Sequence, residues 1–156
     1  MDNKPLQIAR SGLFIFNSQF SILNYQRSPM ELKFIDQAPD AIGPYAHAVR
    51  TGHLVICSGQ TPLDPETNEM VGSNIQEQTE RVLRNLAIVL DGVGLTLNDV
   101  VKTNVYLSSM HDFDGMNTVY ANMFGAHRPA RTTVAVKQNP LDALVEIECI
   151  AEIREG

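Results

Sequence analysis

The segment ALVEIECIAEI (143–153) alternates with the period of a strand, so Ala143, Val145, Ile147, Cys149, Ala151 and Ile153 share one apolar face. The opposite face carries Leu144, Glu146, Glu148, Ile150 and Glu152. Two large aliphatics flanking a pair of carboxylates are an odd choice for a face that simply meets water. The same period-two pattern predicts strands at ELKFID (31–36), DVVKTNVYL (99–107) and RTTVAVK (131–137). It also predicts a hairpin across YAHAVRTGHLVICSG, turning at Thr51-Gly52-His53. Helical spacing starts at Asn74, an N-cap with Glu77 in the capping-box position. Ile75, Val82, Leu83, Leu86, Val89, Leu90 and Val93 form its stripe, and Gly92 and Gly94 end it. A second helix is expected from Asp112 as N-cap, with Phe113, Met116, Tyr120, Met123 and Phe124 on one stripe and the amide of Asn117 inside it. QTPLDPETNEM and Gly125 to Ala130 read as loops.

The resulting order, βββαβαββ, predicts an α+β layer with two helices on one face of a mixed sheet. The strand at 131–137 is expected to pair with 143–153 through the loop QNPLD. Both helices can cover only the face of Val145, Ile147 and Cys149, which leaves the Glu146 face without an intrachain cover. In 131–137 the valines, Val134 and Val136, are assigned to the helix-covered side, so Arg131, Thr133 and Ala135 are expected on the glutamate side. Such a mixed face is what a subunit interface containing a site would look like, and an oligomer is expected.

Composition narrows the classes. A chain of 156 residues, 44% hydrophobic and 19% charged, fits one domain with one core. A net charge of -6 and a pI near 5.1 argue against phosphate-backbone binding, so no nucleic acid is expected as partner; a small anion needs only one well-placed cation. Cys57 and Cys149 lie in apolar strand runs outside any Cys-x-x-Cys pair and read as reduced core thiols, which suits a reducing compartment. His47, His53, His111 and His127 show no metal-ligand spacing, and no metal is expected. Residues 1–29 hold Lys4, Arg10 and Arg27 against Asp2 alone, with several serines. They read either as an organelle transit peptide or as a misread extension upstream of a start at Met30. Their apolar run GLFIF is too short to span a bilayer. The expected folded domain is 30–156.

Three stretches carry a family resemblance: APDAIGPYAHAV (38–49), SGQTPLDP (58–65), and the pair PARTTVAV with VEIECIA. Together they resemble the YjgF/UK114 family, also called the Rid or L-PSP family, from about Glu31 to Ile153. The resemblance implies a homotrimer of chorismate-mutase-like subunits with a ligand cleft at each subunit boundary. It also implies hydrolysis of reactive 2-enamines and 2-imines, such as 2-aminoacrylate, 2-iminopropanoate and 2-iminobutanoate, to 2-oxo acids and ammonia, with no cofactor. Arg131 in PART matches the family's carboxylate-binding arginine, and a guanidinium fork suits a carboxylate. Glu146 matches its acidic residue, which can orient a water and take its proton. Glu148 follows on the same face, roughly 6.7 Å along the strand.

Tyr45 matches a cleft-lining tyrosine, although by pattern alone it reads as a core aromatic. Ser58 and Gly59 match a ligand-approach turn or, equally, an ordinary β-turn. Asn117 matches a cleft asparagine or reads as a core amide bonded to backbone. Thr132 and Thr133 stand where many relatives carry Ser and Cys, which removes a thiol nucleophile, favours water attack and makes Thr133 a contact candidate. His47 stands where Gln is common. The alternatives are a non-catalytic trimer that binds small carboxylates for regulation, and an endoribonuclease or translation inhibitor. The expected setting is cytoplasmic, or an organelle if residues 1–29 are a transit peptide, with no membrane partner.

Overall fold

The computed structural model describes residues 29–154, so the expectations for residues 1–29 lie outside the described residues except at Pro29. Alternation becomes six strands: β1 Glu31–Lys33, β2 Ala48–Thr51, β3 Leu54–Gln60, β4 Val100–Leu107, β5 Ala130–Ala135 and β6 Val145–Glu152. Two helices, α1 Ile75–Asp91 and α2 Phe113–Phe124, complete the layer, with short 3-10 turns at Leu97–Asp99, Met110–Asp112 and Pro140–Asp142. The expected α+β order holds. The sheet runs β1-β2-β3-β6-β4-β5, and only β4 and β5 are parallel.

One pairing differs from expectation. β5 pairs with β4, Thr103 opposite Arg131, and not with β6. The reason is the crossover: α2 must lay its stripe on the sheet, so the chain returns parallel beside β4. β6 then enters antiparallel between β3 and β4. That central place suits a strand whose Val145, Ile147, Cys149 and Ala151 are at most 2% exposed.

α1 starts as its sequence dictates. Asn74 Oδ1 accepts from Glu77 N at 3.0 Å, and Glu77 Oε2 accepts from Ser73 N at 2.8 Å, one residue earlier than an ideal capping box. Asp112 holds the N-cap position of α2 without a side-chain cap bond; Ser109 caps the preceding turn instead, accepting from His111 N. Val82, Leu83, Leu86, Val89 and Leu90 of α1 are buried with Val55, Val105, Leu107 and Ile147 of the sheet, each contributing about 1.5–3 kcal/mol. The helices touch where Gly115 has no side chain, since a Cβ there would lie 2.5 Å from Ile75 Cγ2.

Among the described residues the other sheet face carries no helix. Register aligns Leu32, Val49, Ile56 and Ile150 across it, with Leu32 and Ile56 exposed at 55% and 44%. Cys57 and Cys149 stand directly opposite each other on the covered face as buried free thiols. Among the described residues no helix is long and apolar enough to cross a membrane.

Candidate functional site

Glu146 owes its setting to an irregularity in β3. Cys57 pairs with Cys149 but Gln60 pairs with Ile147, so β3 holds one extra residue around Ser58 and Gly59. Such a bulge bends a strand and re-aims its neighbours. Here it brings the Gly59 backbone under the Glu146 carboxylate, where a Cβ would sit 2.9 Å from Glu146 Cδ. Only glycine permits that approach. Glu146 is half-buried, and this burial, followed by the charge of Glu148, raises its pKa above the ordinary value.

Glu148 is engaged differently. It accepts from Asn104 Nδ2 at 2.6 Å and Tyr106 Oη at 3.0 Å, both on the adjacent strand β4. Burial and the Glu148 carboxylate raise the Tyr106 pKa, so this phenol stays a donor. Lys102 extends the row, donating to Thr132 Oγ1 at 2.7 Å. Sequence reasoning named neither Asn104 nor Tyr106. Their alternation with Thr103, Val105 and Leu107 in VKTNVYL was the available signal.

Ser58 and Tyr45 serve the neighbouring loop. Ser58 Oγ donates to Ala46 O at 2.7 Å, and Tyr45 Oη accepts from Ile42 N at 3.1 Å. Tyr45 is 41% exposed, which sets aside its reading as a core aromatic and leaves its ring open to a ligand. His47 is a buried tie: Nδ1 accepts from Ile35 N and Nε2 donates to Pro39 O, each at 2.9 Å.

Arg131 belongs to a second cluster. Its Nη2 donates to Asn117 Oδ1 at 2.8 Å, and its Cζ lies 4.6 Å from the Tyr120 ring centroid and 5.7 Å from that of Phe113. Tyr120 is itself fixed by Thr103 Oγ1 at 2.8 Å and stacks on Phe124 at 4.4 Å. The guanidinium is therefore held by a neutral amide and two rings, and forms no ion pair with a carboxylate among the described residues. Thr133, two residues on, has a buried Oγ1 without a hydrogen-bond partner.

These contacts correct the expected faces of β5. Arg131 pairs with Thr103 and Thr133 with Val105, both fully buried beneath the helices, so Arg131, Thr133 and Ala135 lie on the helix side. Thr132 and Val134 point to the glutamate side, and Val134 is 42% exposed. The guanidinium head of Arg131, set against two rings and an amide of α2, is what turns this residue to the helix side. Within one chain, Arg131 and Glu146 thus occupy opposite faces with β4 between them. The structure unites Arg131 with Asn117, and Glu146 with Gly59, but not the two groups.

Comparison with known proteins identifies relatives of the chain as a whole. The model of the family described as Endoribonuclease L-PSP matches residues 35–153. A RutC family protein of Pyrococcus abyssi is 47% identical over 121 residues, covering 78% of this chain and 95% of its own. Reactive Intermediate Deaminase A, chloroplastic, of Arabidopsis thaliana is 39% identical over 136 residues, 86% of this chain and 73% of that protein. The crystal structure of the E. coli YjgF gene product superposes with a TM-score of 0.75 at 36% identity, covering 80% of this chain and 99% of that one.

Proposed function

The chain belongs to the Endoribonuclease L-PSP family, which includes the YjgF and Rid proteins, and from that premise we propose that it hydrolyses 2-imino acids to 2-oxo acids and ammonia. The observation that carries this reading is the contrast between the two clusters. One presents a preorganised guanidinium with no charge partner among the described residues, and the other a half-buried carboxylate whose proton affinity is raised. Arg131 binds the substrate carboxylate, for which its fork is matched. Glu146 orients a water against the C=N carbon and accepts its proton as the C–O bond forms. The proton then passes to nitrogen, giving a carbinolamine; its hydroxyl proton moves by way of the same carboxylate to the amino group as C=O forms and the C–N bond breaks, so ammonia leaves with a 2-oxo acid behind. The Arabidopsis relative's name as a deaminase supports the same class.

Opposite faces within a chain mean that Arg131 and Glu146 meet one substrate only across two subunits. The uncovered row Leu32, Val49, Ile56 and Ile150 gives those subunits an apolar contact, and the assembly we propose is a homotrimer with its clefts at the boundaries. The net charge of -6 works against a ribonucleolytic role. The test is ammonia release from imines generated in situ, such as 2-iminobutanoate, with and without the protein. Accelerated release supports the hydrolase. Tight 2-oxo acid binding without acceleration would favour a carboxylate-binding regulatory trimer.

A further inference from the structure

A cavity of about 310 Å³ opens where α2 meets β5, and its lining includes Asn117, Tyr120, His127, Arg128 and Arg131. Two arginines therefore line one small space, and among the described residues no acidic side chain lines it. Arg131 is held by Asn117 and the Tyr120 ring. Arg128 spends only Nη1 on the chain, donating to the carbonyls of Gly125 and His127, so Nε and Nη2 remain available. Neither cation is paired with a carboxylate among the described residues. His127 directly precedes Arg128 and is anchored to Val100 O through Nε2 at 2.6 Å, which fixes its ring against Phe124.

Two like charges on one cavity, unpaired among the described residues, cost electrostatic energy that a dianion would recover. A small monocarboxylate can occupy Arg131 but leaves Arg128 unanswered. We propose that this cavity selects dicarboxylic substrates: the 2-carboxylate sits on Arg131 and the side-chain carboxylate on Arg128, as in imines derived from aspartate or glutamate. The assignment deepens the deaminase reading and rests on it only for the chemistry, because the cavity and both cations belong to a single chain.

The test is calorimetric binding of product analogues to the full-length protein at fixed ionic strength, comparing 2-oxoglutarate with 2-oxobutanoate. One added charge-assisted contact predicts roughly tenfold tighter binding of the dicarboxylate. Arg128→Gln should bring the ratio of the two affinities close to one, and Arg128→Lys should keep part of it. Equal affinities in the wild type would overturn the proposal, as would an undiminished ratio in Arg128→Gln. Inorganic phosphate binding as tightly as 2-oxoglutarate would also overturn it, by marking a general phosphate site. Failure here is distinct from failure of the deaminase reading. Turnover of small imines without a dicarboxylate preference would sink only the cavity assignment, while the preference without turnover would sink only the chemistry.

Discussion

Gly59 lies directly beneath the carboxylate of Glu146: a Cβ built on it would sit 2.9 Å from Glu146 Cδ and 3.1 Å from Cγ, and closer still to Oε1. The colliding group is the free end of a flexible side chain, so Gly59→Ala should fold with a small change in melting temperature. Its cost should fall on the proposed chemistry, because Glu146 must swing away from the place assigned to the attacking water. A displacement of about 1 Å can cost ~100-fold in rate. Matched thermal melts and imine turnover check this. Near-normal turnover would show that Glu146 can work from another position.

In its proposed role as base, Glu146 works only when ionised. Burial and then the Glu148 charge raise its pKa, so activity should fade at a higher pH on acidification than for an ordinary glutamate. Glu148→Gln removes the second cause and leaves the first. The acid limb of kcat/KM should move to lower pH without reaching the ordinary carboxylate range. Stability runs the other way. The folded state holds this proton more tightly than the unfolded chain, so folding is disfavoured as pH rises between the unfolded and folded pKa values. That loss should be smaller in Glu148→Gln. Gln keeps an acceptor for Asn104 and Tyr106, so pH-rate profiles and pH-dependent melts can be compared in a folded protein.

Arg131→Ala removes the proposed carboxylate fork and the cover over Tyr120 together. Truncating one partner of a desolvated charged pair costs ~2–5 kcal/mol, which predicts at least a ~30-fold loss of kcat/KM. Arg131→Lys keeps the charge but loses the planar fork, and should recover little of it. Nearly wild-type kinetics in the Lys variant would rule out bidentate binding.

How much of this was legible in the chain depends on the strand. β6 could be read because one of its faces is uniformly apolar and the other is not, and α1 because its stripe and its Asn74 cap agree. β5 could not. RTTVAVK places small or aliphatic groups on both sides, and its decisive contact is the guanidinium of Arg131 against aromatic rings, which a hydrophobic count scores as polar. The pairing of β5 was hidden for a related reason: a five-residue loop is compatible with a hairpin, and only the demand of α2 to lie on the sheet sends β5 to the far side of β4. The Glu146 setting was half visible. SGQ flagged a glycine, but the one-residue register shift that brings it under the carboxylate emerges only from pairing with β6.

The strongest test of the site as a whole follows from the two faces. If one substrate touches Arg131 from one subunit and Glu146 from the next, then Arg131→Ala and Glu146→Gln are defects in different halves of each cleft. Each variant alone should be nearly inactive. When the two are co-expressed in equal amounts and assemble at random in a closed ring, about one cleft in four receives its arginine from the Glu146→Gln chain and its glutamate from the Arg131→Ala chain. Turnover should return to about a quarter of the wild-type value per cleft, whereas mixing the separately assembled variants should restore nothing until subunits exchange. A doubly substituted chain co-expressed with the wild type supplies the control, since it can only dilute intact clefts. No recovery on co-assembly, with mixed oligomers verified by mass spectrometry, would mean that Arg131 and Glu146 do not share a substrate across a boundary.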